Sequence, residues 1–247
     1  MCRIALMNKK GEKEIEKIYG LDKYFKFLEN QFGGNGNGYA LMKNGKIIRL
    51  ENGFNLDVRD IANIFKRADY DWALFHTRFA SIGEINDKNC HPFRRGTTVL
   101  AMNGTEMSVN FFCHIMDITD TEAILDTMYK YNLGLGALQN FNSIFMGFYN
   151  KKPFVFAGNT ENIRVFNNKK NKAIVFASSF PSDFENMYKT TGRFLWTGGT
   201  LPNTLIKKQK RYFPKKYFND YLYQDGLYEQ CYLEELEEEE FENAVWI

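Results

Sequence analysis

Strand-like segments fall into two sets along the 247 residues of this chain, and a helical segment separates the sets. Apolar runs of strand length predict the first set at residues 3–8, 39–42, 46–50, 72–75 and 99–102. Two hairpin patterns with polar turns predict the second set, which pairs residues 145–149 with 153–157 and 162–166 with 173–178. This order favours the α+β class, with two stacked, mostly antiparallel sheets between layers of helices.

Apolar residues at helical spacing predict three helices, over residues 12–32, 57–68 and 120–131. The third helix has a start signal, because Thr119 lies three residues before Glu122 as in a capping box. A glycine-rich loop at residues 33–38 lacks the Gly-Lys-Ser/Thr of a phosphate-binding loop. We therefore expect that segment to be a loop before a strand.

Composition narrows the classes of function. A net charge of +2 gives no strong electrostatic case for a nucleic-acid or membrane partner. The sequence contains no apolar stretch of about 18 residues and no signal-peptide pattern at its start, so we expect neither a membrane span nor a leader. Four cysteines without a dense framework favour a reducing compartment, which predicts a cytoplasmic location.

Cys2 is the first candidate for chemistry, because it stands at the start of the chain directly before a predicted strand. Removal of Met1 gives Cys2 both a thiol and a free α-amine. An α-amine titrates near pH 8, roughly, so it can accept the thiol proton where a lysine cannot. N-terminal nucleophiles activated by their own amine are a known catalytic arrangement. A cysteine after the initiator Met is usually incidental, however, so further motifs decide its role.

Four further motifs follow Cys2 in a fixed order. They are FHTRFASIG at residues 75–83, His91-Pro92, Asn103-Gly104 and TDTE at residues 119–122. The ordered set resembles the class II glutamine amidotransferases, the N-terminal-cysteine branch of the Ntn hydrolases, over residues 2 to about 180. This resemblance implies the four-layer αββα sandwich of that family and hydrolysis of the side-chain amide of L-glutamine to glutamate and ammonia.

The resemblance also implies the catalytic groups. The Cys2 thiol is the nucleophile that forms a thioester, and its α-amine is the base. The Asn103 side-chain amide and the Gly104 backbone N–H form the oxyanion hole. Their chemistry agrees with this role, because both are neutral donors and glycine allows close approach. The alternative for Asn103-Gly104 is an ordinary hairpin turn.

Recognition of glutamine requires a cation for its carboxylate and an anion for its ammonium. The resemblance assigns these roles to Arg78 and Asp120, and it assigns Phe79 and Ser81 to substrate binding as well. The planar fork of an arginine matches a carboxylate in a bidentate manner. The alternatives are a surface ion pair for Arg78 and a helix cap for Asp120, and a helix start can also present a carboxylate into a pocket.

His76 and His91 invite assignment as catalytic bases. The resemblance gives the base role to the terminal amine, so both are predicted to be structural. Cys90-His91 and Cys113-His114 lack the spacing of zinc ligands, and no metal or cofactor is expected. Two departures from the family pattern are visible. Met102 replaces the His that often precedes Asn-Gly, and the interval from Gly104 to Asp120 is shorter than in large synthase-linked members.

The predicted domain boundaries are residues 2–200 for the amidotransferase domain and residues 201–247 for a charged, aromatic extension. The basic part of this extension, residues 207–216, suits either RNA stacking or a solvated extension, and the near-neutral total charge favours the latter. No synthetase module fits after residue 180, roughly, because a typical domain has about 100–150 residues. We therefore expect a separate synthetase or ligase subunit to accept the ammonia.

Two other functions are open at this level. One is a stand-alone Ntn amidohydrolase that acts on another amide, and the other is a non-catalytic regulatory domain that retains the fold. The pair of Arg78 and Asp120 disfavours the first alternative, since it suits the head group of glutamine. The joint presence of Cys2, Asn103 and Gly104 with that pair disfavours the second.

Overall fold

The computed structural model describes residues 2–158, 163–184, 187–190, 192–199 and 201, with the side chain of Phe112 left out. The predicted extension at residues 201–247 lies outside the described residues except for Leu201. None of the helices in the described part of the chain has the length and apolar character that spanning a bilayer requires.

The elements alternate along the chain much as their patterns predict. The strands are β1 (Arg3–Asn8), β2 (Asn37–Lys43), β3 (Lys46–Gly53), β4 (Trp72–Thr77), β5 (Phe93–Arg95), β6 (Thr98–Asn103), β7 (Ile144–Tyr149), β8 (Lys152–Ala157), β9 (Arg164–Asn168), β10 (Ala173–Ala177), β11 (Met187–Lys189) and β12 (Phe194–Trp196). The helices are α1 (Lys9–Ile18), α2 (Leu21–Phe32), α3 (Val58–Arg67), α4 (Asn110–Met116) and α5 (Asp120–Lys130). Short 3-10 helices occupy Asp87–Asn89, Met107–Val109 and Leu135–Asn140.

Two antiparallel sheets form the centre of the molecule. The larger has the strand order β11-β9-β10-β1-β4-β2-β3, and the smaller has the order β12-β8-β7-β6-β5. The strand that follows Cys2, β1, is the central strand of the larger sheet and pairs with β10 and β4. The predicted α+β class with two stacked antiparallel sheets is therefore confirmed.

Alternation of side chains along β1 explains the layering. Ala5 and Met7 lie in the core beneath the helices, whereas Ile4 and Leu6 lie in the core between the sheets. Successive side chains of a strand point to opposite faces, so a strand covered on both faces is apolar throughout. Helices α1 to α3 cover the larger sheet, and α5 contacts β5 and β6 of the smaller one. The order of layers is helix, sheet, sheet, helix.

The helix-covered core is rich in aromatic rings. Phe25 of α2 is fully buried and stacks on Phe75 of β4 at a centroid distance of 4.0 Å. It also meets Phe65 of α3 edge-on at 5.2 Å. Offset and edge-to-face pairs of this kind add about 0.5–1.5 kcal/mol each beyond the burial of their area. The strand that carries the FHTR motif is thus fixed firmly against the helices.

One predicted helix is two helices in the structure. The periodic segment at residues 12–32 breaks at Gly20, where φ is +86°, and the first of the two helices begins earlier, at Lys9. The left-handed region favours glycine, which explains why the chain turns there. Asn44 and Gly45 form a tight turn between β2 and β3, as an Asn-Gly pair between two strand segments indicates, with φ of 49° and 72° as a type I′ hairpin requires.

Candidate active site

The register of β1 and β4 brings the start of one strand to the end of the other. Arg3 pairs with Thr77, so Cys2 lies beside the residues that follow the FHT segment. The Phe79 N–H donates to Cys2 Sγ at 3.3 Å, and the thiol also lies 3.5 Å from the Phe79 carbonyl oxygen. Arg3 Nη1 donates to the Cys2 carbonyl at 3.0 Å. These bonds hold Cys2 in place directly before β1, the central strand of the larger sheet.

Burial governs the chemistry of the Cys2 thiol. The residue is only 6% exposed, and burial raises the pKa of its thiol. The Phe79 N–H and the charge of Arg78 lower this pKa, whereas the carboxylate of Asp120 raises it. A thiol with a raised pKa needs a base beside it to become a nucleophile at neutral pH.

Arg78 is buried, at 2% exposure, so the surface ion pair considered for it is wrong. Its guanidinium donates to three backbone carbonyls of the loop that follows. The acceptors are Glu84 at 2.7 Å, Ile82 at 2.9 Å and Gly83 at 3.2 Å. Since a guanidinium has five N–H donors, these bonds leave two for another acceptor. Arg78 therefore organises the loop at residues 78–84 and retains donors for a carboxylate.

Asn103 ends β6 in the second sheet, and the contact of His76 with Met102 brings it to the same end of the molecule as Cys2. Asn103 is 4% exposed, and its Oδ1 is buried without a hydrogen-bond partner among the described residues. A buried polar atom of this kind is uncommon and occurs often at functional sites.

Gly104 departs from the geometry of a hairpin turn, because a 3-10 helix at Met107–Val109 and helices α4 and α5 separate β6 from β7. The alternative of an Asn-Gly hairpin is therefore wrong here. The φ of Gly104 is +146°, and a Cβ at this position would lie 2.2 Å from Ser143 Oγ. Glycine is required both for this conformation and for this close approach.

Asp120 begins α5, but the cap of that helix is Thr119, whose Oγ1 accepts from the Glu122 N–H at 3.2 Å. The carboxylate of Asp120 accepts from two backbone N–H groups instead. Its Oδ2 accepts from Glu106 at 3.0 Å, and its Oδ1 accepts from Thr121 at 2.9 Å. The capping role considered for Asp120 thus belongs to Thr119.

Burial raises the pKa of Asp120 to about 6, although the N–H groups of Glu106 and Thr121 oppose the rise. The neighbouring Glu106 carboxyl raises it further. A buried carboxylate without a paired cation is an expensive group that a bound ammonium would stabilise. This is the charge that the head group of an amino acid offers.

Phe79 and Ser81 lie in the loop at residues 78–84. Phe79 is 43% exposed and meets Phe32 edge-on at 6.2 Å, so its ring lies partly in solvent. Ser81 Oγ lies 2.8 Å from Thr105 Oγ1, which joins this loop to the segment after Gly104. Thr105 was not predicted. Its position directly after Asn-Gly was the available signal.

The glycine-rich loop at residues 33–38 supports the loop that follows β4. Asn35 Oδ1 accepts from the Ala80 N–H at 3.0 Å, and the Asn35 N–H donates to the Arg78 carbonyl at 2.9 Å. A Cβ at Gly38 would lie 2.0 Å from the His91 carbonyl oxygen, so this approach requires glycine. Close packing therefore explains the glycine at position 38. Asn35 is a second residue, after Thr105, that the sequence did not predict.

His76 and His91 form a buried pair. His91 Nδ1 lies 3.0 Å from His76 Nε2, which in turn lies 3.1 Å from the Met102 carbonyl oxygen. Burial lowers the pKa of His76 to about 3 and the pKa of His91 well below its ordinary value, so both rings are neutral at physiological pH. Their contacts with each other and with Met102 agree with the predicted structural role.

Metal-ligating side chains do not gather anywhere in the described part of the chain, where no three His, Cys, Asp or Glu residues could hold an ion together. Cys90 donates instead to the Asn86 carbonyl at 3.3 Å. Cys2, Cys90 and Cys113 are all free thiols.

Comparison with known proteins identifies the fold. Neither the protein-family models nor the curated proteins give a match. Two solved structures match at 16% identity and a TM-score of 0.50, each over 72% of this chain and 42% of the other. They are glutamine phosphoribosylpyrophosphate amidotransferase from B. subtilis complexed with ADP and GMP, and the allosteric regulatory enzyme of purine biosynthesis.

A third solved structure, a glutamine aminotransferase class-II domain protein from Silicibacter pomeroyi, is 12% identical with a TM-score of 0.44, over 78% of this chain and 93% of that one. The chain spans less than half the length of the first two structures. Their likeness concerns the fold alone. The chain therefore has the Ntn-hydrolase fold of glutamine phosphoribosylpyrophosphate amidotransferase, as its motifs predicted.

Proposed function

We propose that this chain is a glutamine amide hydrolase of the class II amidotransferase type, which converts L-glutamine to glutamate and ammonia. The contact of Cys2 Sγ with the Phe79 N–H carries most of the support, because it fixes a thiol at the start of the central strand. The charges of Arg78 and Asp120 act on the pKa of that thiol in opposite directions, Arg78 lowering it and Asp120 raising it. A nucleophile, a cation and an anion at one end of two sheets suit a zwitterionic substrate.

The first chemical step is attack of Cys2 Sγ on the side-chain carbonyl carbon of glutamine. The α-amine of Cys2, free once Met1 is removed, takes the thiol proton as the C–S bond forms. Negative charge then develops on the former carbonyl oxygen. The Asn103 Nδ2–H and the Gly104 N–H donate to this oxygen, and such donors contribute most when they are already oriented.

The second step releases ammonia. The protonated α-amine returns its proton to the amide nitrogen as the C–N bond breaks, which leaves a thioester on Cys2 and frees NH₃. Water then attacks the thioester carbonyl, the α-amine accepts a proton from that water, and the proton passes to the departing sulfur. Glutamate and the starting enzyme result, with no cofactor or metal in the sequence of steps.

Head-group recognition falls to Arg78 and Asp120 in this proposal. The two guanidinium donors not used by the loop carbonyls donate to the glutamine carboxylate, and the Asp120 carboxylate accepts from the glutamine ammonium. Phe79 and Ser81 contribute to the wall of the substrate site. This pairing favours glutamine over amides that lack an amino-acid head group.

We further propose that a separate synthetase or ligase subunit accepts the ammonia. Ammonia released into water is protonated, which favours its direct transfer to an acceptor enzyme bound to this chain. A cytoplasmic location belongs to the same proposal, and the free thiols of Cys2, Cys90 and Cys113 suit it.

Labelling tests the proposed nucleophile. Mass spectrometry of the purified protein should find Cys2 at its N-terminus, and a glutamine-analogue electrophile should label that residue. Millimolar L-glutamine should protect it, and production of glutamate should stop in proportion to the label. Cys90→Ala serves as the matched control, because Cys90 is a buried thiol to which the mechanism assigns no role. This variant should be labelled at Cys2 as the wild type is. A label on Cys90 or Cys113, or an active chain that keeps Met1, contradicts the proposal.

A further inference from the structure

Glu106 is a buried carboxylate that neither the motifs nor the proposed mechanism uses. It is 8% exposed and lies two residues after Gly104. Its Oε1 accepts three hydrogen bonds from the segment that precedes β7. The donors are the Asn142 N–H at 3.0 Å, the Ser143 N–H at 2.8 Å and the Ser143 hydroxyl at 2.5 Å. One carboxylate oxygen therefore fixes both the backbone and the side chain of Ser143.

Ser143 is the residue against which Gly104 packs. A Cβ built on Gly104 would lie 2.2 Å from Ser143 Oγ and 2.6 Å from Ser143 Cβ, so the backbone of the proposed oxyanion hole rests on this serine. Because Glu106 holds the Ser143 hydroxyl, it determines where the Gly104 peptide can lie. The Gly104 N–H is one of the two donors that the tetrahedral intermediate requires.

The backbone of Glu106 makes a second connection to the site. Its N–H donates to Asp120 Oδ2 at 3.0 Å, within the carboxylate proposed to bind the substrate ammonium. Glu106 thus joins the two proposed sites. Its side chain supports the oxyanion hole, and its backbone N–H donates to the head-group site.

Glu106 takes part in no ion pair among the described residues, and all three of its donors are neutral. Burial raises the pKa of its carboxyl, although the bonds from Ser143 and Asn142 oppose the rise. An apolar or amide side chain of similar size would avoid this desolvation cost. A buried carboxyl in such an environment, hydrogen-bonded to Ser143 beneath Gly104 and joined through its N–H to Asp120, is a candidate for a functional role.

We propose that Glu106 is a positioning residue of this site, which holds the Gly104 peptide through Ser143 and presents Asp120 through its own N–H. The inference rests on the proposed function. It predicts that loss of the side chain lowers kcat for glutamine hydrolysis more than it changes KM, because the main-chain bond to Asp120 survives the substitution. A shift of about 1 Å in an oriented group can cost about 100-fold in rate.

The charge of Glu106 gives a second readout. The groups that act electrostatically around Asp120 are Glu106 from the segment after β6, Cys113 from α4, Cys2 before β1 and Arg78 after β4. Of these, Glu106 raises the pKa of Asp120. Glu106→Gln keeps an oxygen acceptor for Ser143 but removes the charge that raises the pKa of Asp120. The acid limb of the kcat/KM profile should therefore move to lower pH.

The experiment compares Glu106→Ala, Glu106→Gln and Ser143→Ala in steady-state glutaminase assays over a range of pH. Glu106→Ala should lower kcat by about 10- to 100-fold with little change in KM. Glu106→Gln should restore kcat to within about threefold of the wild type, since its amide oxygen can accept the same bonds. Ser143→Ala removes only the hydroxyl beneath Gly104, and it should lower kcat by about 3- to 10-fold.

Glu12→Ala is the matched control. Glu12 is also a buried glutamate, at 3% exposure, but it lies in α1 beneath the larger sheet, where it pairs with Lys9 at 2.6 Å. Its removal should lower Tm and leave kcat unchanged at temperatures well below Tm. Thermal unfolding of every variant separates loss of stability from loss of rate.

Three results overturn the inference. Wild-type kcat in both Glu106→Ala and Ser143→Ala removes the positioning role. Losses of rate that follow Tm alike in Glu106→Ala, Glu106→Gln and Glu12→Ala indicate a structural role only. An inactive wild-type chain whose Cys2 resists labelling instead overturns the proposed function, and this inference falls with it. If Glu106→Ala does not fold, the kcat of Ser143→Ala and the pH profile of Glu106→Gln decide whether Glu106 is a positioning residue.

Discussion

The helix-covered face of the larger sheet and the end where Cys2 lies each contain a buried glutamate, and these two glutamates have different partners. Glu12, on the helix side, pairs with Lys9 at 2.6 Å and accepts from the Tyr70 hydroxyl at 3.3 Å. Glu106, beside Gly104, accepts only from neutral donors. The first carboxylate has its charge compensated and the second does not. At the helix-covered face the buried charge is therefore stabilised by a cation. At the other end, burial of the uncompensated Glu106 charge lowers the free energy of unfolding.

Buried polar atoms without a hydrogen-bond partner among the described residues occur in both regions, and Asn37 Oδ1 is one at the helix-covered face. We define the nucleophile end by the proposed nucleophile Cys2 together with Arg78, Asn103, Gly104 and Asp120. Buried atoms without a hydrogen-bond partner in the described residues include several at or beside this end, namely Asn103 Oδ1, Thr77 Oγ1, His76 Nδ1 and His91 Nε2. Each such atom costs about 1–3 kcal/mol unless a ligand or water satisfies it. The four atoms at or beside the nucleophile end therefore add to the cost of the uncompensated Glu106 carboxylate.

The largest expected effect belongs to the helix-covered face. Phe25→Ala removes a fully buried ring stacked on Phe75, and it should lower the free energy of unfolding by about 3–5 kcal/mol. Urea unfolding measures this loss, and kcat below Tm should stay at the wild-type value. Ile48→Ala, at a position 51% exposed, is the control and should change stability by less than about 0.5 kcal/mol. A fall in kcat without unfolding would show that the two regions are not separable.

Asn103→Ala should have nearly as large an effect, but on rate. Loss of one oxyanion donor should lower kcat by about two to three orders of magnitude, while Tm changes little. Asn37→Ala is the matched control, because Asn37 is also 4% exposed and also has an unpartnered Oδ1, but its amide donates to Glu29 and Leu56 at the helix-covered face. An Asn103→Ala enzyme that turns over at the wild-type rate contradicts the oxyanion assignment.

Arg78→Lys should have a smaller effect, on binding. A lysine replaces the guanidinium and its two remaining N–H donors with a point charge, so KM for glutamine should rise by about 10-fold or more. Arg78 also holds the loop carbonyls of Ile82, Gly83 and Glu84, so the variant needs a substrate control. With 4-aminobutanamide, which lacks the α-carboxylate, wild type and variant should have the same KM. An equal defect with both substrates would show that Arg78 serves the loop alone.

The smallest effect is the dependence of binding on pH. The pKa of Asp120 is raised from 3.8 to about 6, so its carboxyl is neutral below that pH and no longer attracts an ammonium. KM for glutamine should rise about tenfold for each pH unit below roughly 6 and be flat above it. Glutaramate lacks the ammonium and should show no such limb. The limb should also vanish in Asp120→Asn, and its persistence there would contradict the assignment.

The raised pKa has a consequence for stability with the opposite sense. A carboxyl whose folded pKa exceeds its unfolded value binds more protons when folded. Its contribution to the free energy of unfolding therefore falls as pH rises from about 4 to about 6. The ionised form of Asp120 that binding needs is the form that the fold disfavours, in line with the cost assigned to the nucleophile end.

The main strands and turns could be predicted because their causes are local. The apolar run after Cys2 indicates a strand covered on both faces, and Asn44-Gly45 indicates a hairpin, since both depend on residues next to one another. The short strands β5, β11 and β12, with three residues each, were missed because so few residues carry no period. The break at Gly20 was missed because the apolar spacing continues across it.

The sequence supplied candidate residues for the site but not their contacts. The motifs name Cys2, Arg78, Asn103, Gly104 and Asp120 without stating what each touches. That Arg78 is buried among loop carbonyls follows from the path of the backbone, whereas the Thr119 cap of α5 was predicted from its spacing to Glu122. The residues around Glu106 in the sequence do not distinguish it from a solvated glutamate. Its carboxylate is buried against N–H donors that lie 36 and 37 residues away along the chain.

The sequence by itself therefore determined the order of the main strands and helices, and it supplied the candidate residues, whose roles stay predictions. Tertiary structure decided which of these side chains meet. Antiparallel pairing of β1 with β4 sets Cys2 beside Phe79, and stacking of the second sheet brings Asn103 to the same end. The physical reason is range: propensity and periodicity act over a few residues, whereas hydrogen bonds, desolvation and charge act between segments that only the folded chain brings together.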